Sequence, residues 1–216
     1  MKIKTKPAAL FTTLLFGAIA FMGGCATTGM ERSASTSTSM KTVESDIRQA
    51  AAQVDATGAS LNELINPDQA KVKKAFDKYS DNVAKMEQMG KRLLKHTDEM
   101  STRGKEYFEE WDKQGNTYKN PQIRELSEQR RADLGAIYAQ IPVASVGVKG
   151  AFNAYLSDIK EIQKYLSNDL TPKGIESIAP VAQKAVSDGA LLKEAVTPVL
   201  AAIDRVRAEL ATGGAK

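Results

Sequence analysis

Of the side chains that could do covalent or acid–base chemistry, this 216-residue chain has one cysteine, Cys25, and one histidine, His96. One histidine leaves no room for a Ser-His-Asp relay beyond a single copy, and no serine lies in a Gly-x-Ser-x-Gly turn. Two Glu-x-x-His motifs, by which helical bundles hold paired irons, cannot be supplied either. No glycine-rich phosphate loop follows a strand, because no segment alternates as a strand does. Glu109, Glu110 and Asp112 share one helix surface with no second wall around them. No catalytic residue, metal set or cofactor is therefore expected, and the chain does not read as an enzyme. His96 sits beside a helix seam and reads as a half-exposed surface residue. The chemistry left over is modification of the one thiol.

The residues before Cys25 say which modification. Lys2, Lys4 and Lys6 precede an apolar stretch from Ala8 to Met22, followed by Gly23-Gly24. A basic start, an apolar run and small residues form the signature of an export signal. Some 15 apolar residues fall short of the roughly 20 that span a bilayer as a helix. Met22-Gly23-Gly24-Cys25 resembles the lipobox of bacterial lipoproteins, which implies removal of residues 1–24 and acylation of Cys25. The competing reading is an ordinary secretory signal cleaved near Ala26. Two or three acyl chains anchor stably, since each buried methylene contributes roughly 0.8 kcal/mol. By resemblance to lipoproteins of enteric bacteria, the absence of Asp after Cys25 implies an outer-membrane protein facing the periplasm. Loss of the three signal lysines lowers the formal charge from +4 to +1. That balance gives no basic face for nucleic acid.

Residues 25–40 are rich in Ser and Thr and read as a flexible tether, reaching on the order of 20 Å. Residues 41–211 are helical by period. The second run, Val72, Phe76, Tyr79, Val83, Met86, Gly90, Leu93, Thr97, Met100, Gly104, Tyr107 and Trp111, steps by four and three without a charge. A 3.5-residue repeat sustained this long is a seam that faces other helices. Val43 to Leu64, Leu134 to Leu166 and Ile175 to Leu210 carry similar stripes. Asn66-Pro67, Asn120-Pro121 and Thr171-Pro172 each place a capping side chain before a proline at the first helical position. Helices are expected at about 41–65, 67–114, 121–167 and 172–211, with a break near Pro142 and kinks at Pro180 and Pro198. The fold class is an all-α, elongated, up-down antiparallel bundle or coiled coil of about four helices, with a flexible tail at 212–216.

Three features of this bundle bear on function. Tyr107-Phe108-Glu109-Glu110-Trp111, with Tyr118 beyond it, is either an aromatic plug closing one end or a docking tip built on Phe108, Glu110, Trp111 and Tyr118. Gly90, Thr97 and Gly104 leave the second helix thin at core positions. Helices approach closely there, or a cavity fit for a lipid tail opens. Lys71 to Lys95 carry eight bases against three acids, and Asp98 to Asp112 six acids against two bases. This opposes the helix dipole and fits self-association or contact with anionic lipid or peptidoglycan. The terminal Lys216 resembles the wall-linked lysine of the major outer-membrane lipoprotein.

Phe108-x-Glu110-Trp111, Tyr118-x-Asn120, Ile123-Arg124 and Ser127, with Tyr165 to Leu170 and Ser177-Ile178 later on, resemble a family of bacterial envelope proteins, the domain of unknown function two-nine-five-nine. The resemblance implies a helical, coiled-coil-rich exported protein and carries no catalytic or binding residues with it. The expected role is a scaffold or spacer of the envelope, joined to the membrane through its lipidated N-terminus, with envelope proteins, peptidoglycan or a second copy as partners. The alternative is a carrier or sensor of an apolar ligand in the bundle core.

Overall fold

The computed structural model describes residues 28–66 and 71–212. Residues 1–24, expected to be an export signal, and Cys25, Pro67 and Lys216 lie outside the described residues. Six helices follow in order: α1 Gly29–Ile65, α2 Val72–Gly115, α3 Pro121–Tyr138, α4 Gln140–Ala144, α5 Val148–Asn168 and α6 Pro172–Thr212. Helices α3, α4 and α5 together form one wall, so the architecture is a four-walled, up-down bundle. Crossing pairs give the directions. Arg92 meets Asp46 and Lys78 meets Glu63 between α2 and α1, while Arg207 meets Glu44 and Lys193 meets Asp55 between α6 and α1. Both pairings are antiparallel.

The expected tether is corrected: residues 29–40 are the first third of α1. A capping box starts the helix, with the Thr28 hydroxyl accepting from the Glu31 amide at 3.2 Å and Glu31 accepting from the Thr28 amide at 2.6 Å. Thr38 and Thr42 turn their hydroxyls back onto carbonyls one turn earlier, which satisfies them at a slight cost to the helix. Burial supplies the rest, because Thr36 and Met40 are 2% and 0% exposed. They extend the stripe upstream by the same four-and-three step, a signal that the Ser/Thr composition concealed.

The other boundaries follow their caps. Asn120 accepts from the Gln122 amide at 2.9 Å ahead of Pro121, and Thr171 accepts from the Gly174 amide ahead of Pro172. The third wall breaks where Pro142 was expected to break it. Its chain passes through the short α4 and turns at Gly147, whose φ of 81° lies where only glycine is unstrained. Helix α6 runs continuously through Pro180 and Pro198. Both prolines are exposed, so the carbonyls they leave unpaired one turn back look toward water.

The core forms two apolar stretches stacked along the axis. One is centred on Val54, Leu61, Tyr79, Met86, Ile159 and Ala182, the other on Met40, Met100, Leu134, Val199 and Ile203. A polar layer crosses the first. Asn82 donates to Ser60 Oγ at 3.0 Å and to the Ala56 carbonyl at 3.3 Å, and accepts from Gln53 Nε2 at 3.0 Å. Tyr79 donates to the Ile159 carbonyl at 2.7 Å, tying α2 to α5.

Burial pushes the Tyr155 hydroxyl up to about 12 and raises Tyr79 further still. Unfolded tyrosines ionise near 10, so above that pH the unfolded chain holds fewer protons than the native one. Stability should then fall as pH rises from 10 towards 12. Chemical denaturation across that range is the test, and Tyr155→Phe should flatten the decline. An identical slope in the variant would show that Tyr155 is not held in this way.

Candidate functional site

The thin stretch of α2 is filled at both ends and hollow between. Helix residues seven apart share a face, so Gly90, Thr97 and Gly104 line up along the core side. At Gly90 the ring of Phe152 from α5 occupies the space a Cβ would take. At Gly104 the Tyr138 hydroxyl, at the end of α3, does the same, and it donates to the Met100 carbonyl at 3.3 Å. Both glycines are therefore seats for aromatic rings. Between the rings, at the level of Thr97, lies a cavity of about 430 Å³.

Its position follows from the broken wall. Helices α1, α2 and α6 pass this level intact, presenting Ile47, Ala50, Leu93, Val196 and Val199. The third wall at this level is α4 and its bend, where a five-residue helix and a glycine turn cannot project the regular side-chain ladder of a long helix. Ile141 and Val148 reach inward from either side of the bend. The rim is polar. Leu94, Asp98 and Ser101 edge it on α2, and Pro142, Ser145 and Lys149 face them from α4, the bend and α5. Val143 and Val146 stand in the same bend, 73% and 81% exposed.

His96 is partly exposed, as expected, but it carries a buried partner. Its side chain is 25% exposed, and Nδ1 lies 2.5 Å from a carboxylate oxygen of Asp46, which is itself 7% exposed. Arg92 Nε reaches the other Asp46 oxygen at 3.0 Å, and Arg92 also donates to Gln49. A carboxylate this buried needs such partners, and the group ties α1 to α2 just outside the cavity wall. Asp46 precedes the seam residue Ile47, but nothing local in the sequence pairs it with a histidine 50 residues away.

The aromatic segment divides. Tyr107 meets Phe108 and Trp111 edge to face, with centroids at 5.3 and 5.7 Å, and Phe108 meets Tyr138 edge to face at 5.4 Å. Trp111 Nε1 donates to Ser127 Oγ at 2.9 Å. Phe108, off the stripe by sequence, is thus drawn inward by the third wall. Glu110 stays with Gln114 and Lys113 on the α2 surface, and Tyr118 is 37% exposed in the loop beyond. Among the described residues no three His, Cys, Asp or Glu side chains gather as a metal site, and no helix is long and apolar enough to cross a membrane.

The chain belongs to the family described as a protein of unknown function (DUF2959), which matches residues 25–206. No curated protein matches it, and no solved structure does.

Two substitutions read the cavity directly. Gly104→Ala gains up to about 1 kcal/mol of helix propensity but drives a methyl into Tyr138, an overlap costing typically 1–3 kcal/mol. A net loss in urea unfolding is expected. Thr97→Met, which extends into the hollow, should raise stability by roughly 0.5–2 kcal/mol as cavity-filling changes do. A destabilised Thr97→Met would mean that the space is not there to fill.

Proposed function

We propose that this protein binds one apolar molecule in its central cavity, as a carrier or sensor tethered in the bacterial envelope. The observation that carries this is the cavity itself. Protein interiors pack like organic crystals, with few voids larger than a water molecule. Here a space of about 430 Å³ with mostly apolar walls opens to solvent through a polar rim, and water held against apolar walls is displaced favourably by an apolar occupant. A bundle that keeps such a space gains from an occupant. The volume also falls within the roughly 300–1,000 Å³ of small-molecule sites, whose walls are mostly apolar with a few polar groups at the edge.

The envelope address rests on the export signal and on acylation of Cys25, with the periplasmic face of the outer membrane as the place. Binding of this kind asks for no catalytic group. A second reading, a spacer or scaffold, is favoured by length: the 44 residues of α2 extend about 66 Å at 1.5 Å per residue. In that reading Glu110, Tyr118 or Lys216 engages envelope proteins or peptidoglycan.

Two measurements decide. A naphthylamine dye that fluoresces in apolar surroundings should bind the full chain with micromolar affinity. Thr97→Met combined with Val196→Phe should abolish that signal while the helical circular dichroism persists; undiminished dye binding in this double variant would remove the cavity reading. Radiolabelled palmitate should label the wild-type chain and not Cys25→Ala, and label on both would place the anchor elsewhere.

A further inference from the structure

Helix α2 and the α4–α5 bend meet the cavity mouth with one charge each. Asp98 stands on the α2 side, flanked by Leu94 and Ser101, and Lys149 faces it from the start of α5, beyond Ser145. The ionic neighbours are otherwise satisfied. Lys91 pairs with Glu87, Lys95 with Glu99, and Arg103 donates to Ser35 on α1. Lys193, the remaining charged residue of the cavity wall, is held by Asp55 at 2.6 Å. Asp98 and Lys149 alone line the space with charged groups that make no ion pair among the described residues. They sit on opposite walls, both exposed.

Resting on the cavity reading above, we propose that the ligand is a single-chain amphiphile with a zwitterionic head. Its chain lies in the hollow between Phe152 and Tyr138, and its head spans the rim with the anionic group at Lys149 and the cationic group at Asp98. The volume sets the chain count. At about 430 Å³ the hollow lies towards the small end of the roughly 300–1,000 Å³ of small-molecule sites, a size suited to one chain. The charges set the head. A fatty-acid carboxylate is drawn to Lys149 but repelled by Asp98, and an alkylammonium meets the reverse. A head carrying both signs meets both. The rim hydroxyls of Ser101 and Ser145 add hydrogen-bonding capacity, and Val143 and Val146 give an arriving chain an apolar approach beside the opening.

The test uses the full chain, extracted in a mild non-ionic detergent and stripped of bound lipid, with native mass spectrometry as the readout. Three probes share one chain length: a lysophosphatidylethanolamine, the free fatty acid and the alkylammonium. The zwitterion should bind about tenfold tighter than either singly charged probe, a free-energy difference of roughly 1.4 kcal/mol. Asp98→Asn should bring the fatty acid up to the zwitterion, and Lys149→Gln should do so for the alkylammonium. Both residues are exposed, so neither change threatens folding. Equal binding of all three probes, or a ranking unmoved by both variants, would overturn the head-group assignment and leave the cavity reading intact. Failure of every probe to bind would overturn both. Raised salt should shrink the preference, because rim charges are screened, whereas a preference indifferent to salt would count against the assignment.

Discussion

The polar layer of Gln53, Thr57, Ser60 and Asn82 fixes how α1 and α2 lie against each other, and the rest of the bundle is laid on that pair. A seam of apolar residues stepping by four and three is nearly the same after a shift of seven, so apolar contacts alone specify register weakly. Asn82 donates to both Ser60 and the Ala56 carbonyl and accepts from Gln53. A one-heptad slip would bury these groups without partners, at about 1–3 kcal/mol for each. The Asp46–His96–Arg92 group repeats the lock two heptads along. Between them the two fix where Gly90, Thr97 and Gly104 stand.

With that register set, the third wall has to fit what α2 presents. Phe152 and Tyr138 each find a glycine opposite, fourteen residues apart on both walls. On α2 the fourteen residues are continuous helix. On the third wall they include the end of α3, the whole of α4 and the turn at Gly147. A regular helix between the same two rings would supply further inward side chains and close the core. The broken segment supplies Ile141 and Val148 and leaves the hollow. The opening on the third-wall side follows from the same break, with Ser145 in the bend and Lys149 just past it, while α2 supplies Asp98 and Ser101 from continuous helix.

The bundle was legible in the sequence because its two signals, seam period and capped prolines, are local. Asn120-Pro121, Thr171-Pro172 and the break around Pro142 all fall where local chemistry places them. The start of α1 was hidden because composition and period disagreed. Seven Ser and Thr residues between Ser33 and Thr42 suggest a tether, while Thr36 and Met40 keep the step; packing against α2 and α6 decides for the helix. The thinness of α2 was visible, but its outcome was not. Whether a glycine is filled by a ring depends on a residue that is remote in sequence, and its position is set by the break and not by any period. The same holds for Asp46 and His96, and for Phe108, whose partner Tyr138 belongs to another wall.

The even number of walls has a mechanical consequence. Thr28 and Thr212 sit at the same end of the bundle, on the antiparallel neighbours α1 and α6. A tension applied between those two residues does not load the seam in shear along its whole length. It opens the bundle as a zipper opens, one layer at a time, beginning at Ser33 and Leu210 and moving through Glu44 and Arg207 towards the hollow. Held at one end only, the same bundle carries no such load and stands as a rod.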